Sequence, residues 1–169
     1  NNPTRICVWD SFMKNKTNRT LRKILSIALC LALVLSCVPV MALGADVVAY
    51  INENGDSATY TGAYTEVTSG LTTWSDGWYV VKGDVTVAKR ITVSGTVNLI
   101  LADGAQLTAN EGICINQGNT FIVYAQSEDK ATMGKLTSTG TDYNAGIGGD
   151  KGYDNGTVII NGGITNITG

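Results

Sequence analysis

Histidine is absent from the 169 residues. Its absence removes Ser-His-Asp and Cys-His nucleophilic sites at a stroke, and with them every zinc site that uses an imidazole ligand. Proline is scarce: Pro3 and Pro39 are the only two, and none follows residue 45. Cysteine is scarce as well, at positions 7, 30, 37 and 114. Only Cys114 lies beyond residue 45, so that part cannot form an intrachain disulfide or a Cys-rich metal site. It sits in the apolar run Gly112-Ile113-Cys114-Ile115 and reads as a small buried hydrophobe.

Basic residues are unevenly spread. Beyond residue 45 there are six Lys or Arg against 13 Asp or Glu, a net −7, whereas the whole chain carries −2. An acidic segment without a basic stripe argues against nucleic acid and anionic lipid as partners, and no nucleic acid is expected.

The basic residues gather near the start. Residues 1–12 have no discernible period and precede the first Met; they read as translation upstream of the true start at Met13. Lys14, Lys16, Arg19, Arg22 and Lys23 then lead into the charge-free stretch 24–38, which Pro39 ends and Met41-Ala42-Leu43-Gly44-Ala45 closes with small residues. A basic region, an apolar core and a small-residue end make a secretory signal peptide over 13–45, cleaved after Gly44 or Ala45. The apolar core, about 15 residues, is shorter than the roughly 20 a spanning helix needs. A retained anchor and a lipid on Cys37, at the lipobox-like Val34-Leu35-Ser36-Cys37, are the alternatives. All three place the rest of the chain outside the cytoplasm, secreted or on the cell surface.

The remaining 124 residues hold 19 Gly and 18 Thr. Gly and Thr interleaved with Val and Ile predict strands and turns, and no stretch has sustained helical spacing. Trp78-Tyr79-Val80-Val81 opens a run in which Val85, Val87, Ile91, Val93, Val97, Leu99 and Leu101 recur at period two within short pieces. Gly83, Gly95 and Gly104 punctuate it, at positions where the backbone is expected to turn with φ > 0. Gln106-Leu107-Thr108-Ala109, Lys135-Leu136-Thr137-Ser138 and Gly163-Ile164-Thr165-Asn166 align at spacings of 29 and 28 residues. Gly95-Thr96-Val97 returns as Gly156-Thr157-Val158, about two such periods on, with Gly118–Val123 supplying the strand between. Such a period signals a coiled repeat array. The expected fold is all-β: a right-handed parallel β-helix over 77–169, with 46–76 as an N-terminal cap or hairpin and a signal-peptide helix before it. A β-sandwich is the alternative. The repeat pattern runs up to Gly169 with no capping segment, which reads as a truncated array whose bare last rung invites aggregation.

Trp78–Gly83, Ile91–Gly104, Asn144–Gly149 (NAGIGG) and Gly156–Gly163 (GTVIINGG) resemble the Gly/Thr-rich repeat regions of large secreted and cell-surface proteins of gut Firmicutes. The resemblance covers about 78–169. It implies an exported protein with a β-helical stalk, adhesin-like or carbohydrate-binding, and transfers no catalytic motif. The polar insert Ser127–Met133 departs from the pattern and reads as a loop leaving the coil.

Trp74, Trp78, Tyr79, Tyr143 and Tyr153 offer rings that can stack on the C–H faces of sugars, and Trp74, Trp78, Tyr143 and Tyr153 are the expected ligand-binding residues. The competing reading of the tryptophans is that they close the hydrophobic end of the coil. Asp142, Asp150 and Asp154, with Asn155 near Gly146-Ile147-Gly148-Gly149, have oxygen ligands but match no calcium-loop spacing; a solvated acidic loop accounts for them, and no metal or cofactor is expected. The same glycine stretch lacks the Lys-Ser/Thr of a phosphate loop. Asp84, Asp103, Glu111 and Asp142 are scattered beside turn glycines and do not make a catalytic cluster. The expectation is therefore a non-enzymatic, extracellular module whose partner is a polysaccharide or host glycan and which meets the membrane only through its signal peptide. A purely structural stalk, and a β-helical polysaccharide lyase or hydrolase, are the alternatives.

Overall fold

A computed structural model describes residues 47–169. The signal-peptide reading, including Gly44, Ala45 and Cys37, lies outside the described residues.

Short β-branched and aromatic segments form strands because alternate side chains can be buried while Gly and Asn turn the chain between them. Fifteen strands result among the described residues: β1 (Val48–Ile51), β2 (Ser57–Tyr60), β3 (Thr65–Glu66), β4 (Thr73–Trp74), β5 (Gly77–Val81), β6 (Asp84–Val87), β7 (Ile91–Val93), β8 (Thr96–Leu101), β9 (Gln106–Ala109), β10 (Ile113–Cys114), β11 (Thr120–Ala125), β12 (Lys135–Thr139), β13 (Ile147–Gly148), β14 (Thr157–Ile160) and β15 (Ile164–Thr168). No helix occurs among the described residues.

From β5 onward each strand pairs in parallel with the strand three places later. The three sheets run β3-β5-β8-β11-β14, β6-β9-β12-β15 and β4-β7-β10-β13. The all-parallel ladders do not fit a sandwich, whose sheets are antiparallel. Tyr79, Leu99, Val123 and Ile160 stand in one register column, 20, 24 and 37 residues apart. The first widening comes from longer turns before β9 and after β10, the second from the insert before β12 and the long connection around β13. Leu107 pairs with Leu136 and Ala109 with Ser138, as the sequence alignment placed them. Thr96, Thr120 and Thr157 form one column, which sets Gly95-Thr96-Val97 and Gly156-Thr157-Val158 two strands apart in one sheet. Gly83, Gly95 and Gly104 all have positive φ.

Inward side chains of the three sheets meet in one core that includes Tyr79, Leu99, Leu101, Phe121 and Val123 from the first, Val87, Leu107 and Leu136 from the second, and Trp74, Ile91, Val93 and Ile113 from the third. Stacking like on like at about 4.8 Å keeps each column continuous. Ser138 is the buried polar residue in this region, and its hydroxyl donates to Gly146 O at 2.5 Å. Corner N–H groups find side-chain acceptors across strands: Gly95 N donates to Asn119 Oδ1 and Thr96 N to Asp76 Oδ1.

The segment expected as a cap or hairpin over 46–76 divides, in its described part 47–76, into two. β1 and β2 make an antiparallel hairpin, while β3 and β4 join the parallel sheets. The hairpin lies on the outer face of the β5-β8-β11 sheet, where Val48 packs with Val80, Ile100 and Tyr124, flanked by Tyr50, Tyr60, Tyr64, Trp78 and Ile122. Segment 127–133 forms a turn tied to the neighbouring strand level by Ser127 Oγ donating to Asp103 Oδ1 (2.9 Å) and Gly104 N donating to Thr132 O (2.5 Å).

Candidate functional site

The four aromatic candidates separate into three environments. Trp74, at the end of β4, is fully buried. Its ring stacks on Tyr79 (centroids 5.2 Å) and tilts against Phe121 (6.0 Å), and its Nε1 donates to Leu71 O. No face is left for a sugar, so Trp74 is a core residue and its expected stacking role is withdrawn. Trp78, the second residue of β5, points outward. Its ring stacks on Tyr60 (4.3 Å) and Tyr124 (5.5 Å), while Tyr50 meets it edge-on. Three rings pack around it, and it serves to hold the hairpin.

Tyr143 and Tyr153 are different. They are 88% and 68% exposed and share the connection 140–156 that carries β13. Asp142 and Tyr143 both take left-handed backbone conformations, with φ of 52° and 69°, which non-glycine residues seldom adopt and which surrounding contacts must hold.

Asn144 N closes the turn on Thr141 O, and the rest of the connection is held both within itself and from neighbouring strand levels. Asn144 Oδ1 accepts from Lys151 N, Asn155 Oδ1 from Gly149 N, and Asn116 Oδ1 from Asp150 N. Gln117 N donates to Asp154 O at 2.8 Å. The main clamp is Arg90, after β6. Its Nε meets Asp150 Oδ1 at 2.6 Å, and its Nη1 donates to Glu111 O and Ala145 O. One guanidinium thus ties three successive levels together. Gly112 permits this: its φ is +78°, and an added Cβ would lie 2.6 Å from Arg90 Nη1 and 2.7 Å from Ala145 O.

Burial pushes the Asp150 carboxyl up. Hydrogen bonds from the Cys114 thiol and Arg90, the Arg90 charge and the Asn116 amide outweigh it, and the carboxyl ends below its usual range. Burial, followed by the Asp150 hydrogen bond and charge, raises the Cys114 thiol against the opposing Arg90. Cys114 is therefore a protonated, 2% exposed thiol. Asp142, Asp150 and Asp154 do not converge, and no group of three or more acidic, Cys or His side chains able to hold a metal occurs among the described residues.

Beside the clamp lies a surface depression of about 370 Å³ lined by Asn116, Gln117, Gly152, Tyr153 and Asp154. It joins an exposed ring to a carboxylate and an amide that make no other side-chain hydrogen bond. Tyr143 is partly spoken for, since Lys151 Nζ stands 4.6 Å from its ring centroid. The sequence singled out Tyr143 and Tyr153 as ring donors and Asp154 only as part of a solvated acidic loop, and it did not point to Arg90, Asn116 or Gln117. Asn116-Gln117-Gly118-Asn119 carried a turn signal; nothing local marked Arg90, whose partners lie up to 60 residues away.

No family model, curated protein or solved structure matches this chain.

Proposed function

We propose that the chain is an exported, cell-surface module whose strands wind as a right-handed parallel β-helix and whose 140–156 connection binds a polysaccharide or host glycan. The winding is supported by the every-third-strand pairing and the single shared core, and its hand by the strong right-handed preference of parallel crossovers. Export is supported by the 13–45 pattern. The observation that carries the binding reading is the depression with Tyr153 at its side: an exposed aromatic next to unengaged polar groups suits a ligand with apolar C–H faces and many hydroxyls. An adhesin-like role follows from the same surface.

Retention of the purified protein on a panel of plant and host glycans tests this. The expected result is retardation on at least one glycan, lost in Tyr153→Ala while the β-sheet circular dichroism is unchanged. Absence of retention throughout would leave the stalk reading.

A further inference from the structure

Resting on that glycan-binding reading, we infer that the depression selects neutral sugars with adjacent free hydroxyls and rejects uronate, sialylated and sulfated glycans, with Asp154 as the selecting residue. Among the lining side chains Asn116, Gln117, Tyr153 and Asp154, the one charge is the Asp154 carboxylate. A carboxylate only accepts hydrogen bonds, and its two oxygens match two neighbouring sugar hydroxyls. Gln117 adds a donor and an acceptor beside it. Asn116 is engaged with Asp150 and fixes the wall of the depression.

The nearby cations are committed elsewhere. Arg90 is paired with Asp150 and bonded to carbonyls of 111 and 145. Lys151 lies over the Tyr143 ring. An anionic sugar would meet the Asp154 charge with no cation in the lining to offset it, in a segment whose net charge is −7 beyond residue 45. A neutral sugar meets no such repulsion and gains charge-assisted hydrogen bonds, which are about twice as strong as neutral ones. The exposed Tyr153 ring supplies the apolar contact.

The experiment is titration calorimetry of the full chain at 0.15 M salt with two sets of probes. One set is neutral (gluco-, manno- and galacto-oligosaccharides), the other anionic (oligogalacturonate, sialyllactose and heparin oligosaccharide). The expected result is binding to a neutral probe and none to the anionic set. Asp154→Asn, on an exposed side chain, should weaken the neutral probe about tenfold and admit an anionic one. Preferential binding of an anionic probe would overturn the specificity while leaving the glycan reading intact. Neutral binding unaffected by Asp154→Asn would overturn the role of that carboxylate. Silence towards both sets would overturn the glycan reading along with this inference.

Discussion

At the scale of single residues, similar side chains do opposite jobs because of where the chain turns. Trp74 and Trp78 are four positions apart, yet one points into the core and the other out of the sheet. The bend at Asp76 places them in different sheets, so alternation along a single strand does not relate them. Trp74→Ala opens a large cavity under Tyr79 and Phe121. It should cost about 3–5 kcal/mol in denaturant unfolding. Trp78→Ala should cost less and act locally, by freeing the amides of β1 and β2 to hydrogen exchange. Cys114 gives a complementary check. Buried and held protonated beside Asp150, it should react with a thiol reagent far more slowly in the native fold than in the unfolded chain, when followed by mass spectrometry.

At the scale of elements, the strands were legible and the packing of connections was not. Period-two apolar spacing and positive-φ glycines marked β5 to β8, because each strand carries that signal within itself. The Leu107–Leu136 register was legible for the same reason. The third member slipped by one: Lys135 pairs with Ile164, not Gly163. Ile164 and Ile167 are three apart, so no period-two pattern decides which one faces in. The ladder turns Ile167 to the Ser138 side and leaves Ile164 beside Lys135. The hairpin on the outer face and the Arg90 clamp were illegible, since both depend on partners brought together only by winding.

The clamp makes a pH prediction of its own. Asp150 titrates below the usual carboxylate range, so its contribution is fully present above the unfolded pKa and is lost as pH falls through the lowered native value. Exchange protection of 140–156 should stay level from neutral pH down to the ordinary carboxylate range and collapse below it. Asp150→Asn should remove that dependence and leave the loop less protected at every pH. Arg90→Ala, which strips several charge-assisted bonds at once, should destabilise by about 2–3 kcal/mol.

At the scale of the whole molecule, the parallel sheets form a scaffold from which the connections project. A stack of short strands around one core places any connection at a fixed height and side. Lengthening one connection, as between β12 and β14, builds a surface feature without disturbing the columns beneath it. The far edge of β14 and β15 exposes Val158, Ile160 and Ile167, which continue the inward columns of Phe121, Val123 and Ser138. Composition announced strands and turns, and the 28–29-residue internal repeat announced such a scaffold. The exposed tyrosines of 140–156 were visible in the sequence, while the depression beside Tyr153 needs Asn116 and Gln117 from the preceding level.

The most direct test compares the two aromatic clusters on one retained glycan, by calorimetric affinity of Tyr153→Ala and Trp78→Ala against the unaltered protein. The account predicts at least a tenfold loss for Tyr153→Ala with stability unchanged, and an undiminished affinity for Trp78→Ala despite its looser hairpin. Loss of affinity in Trp78→Ala with Tyr153→Ala unaffected would contradict it and move the binding surface to the outer face under the hairpin.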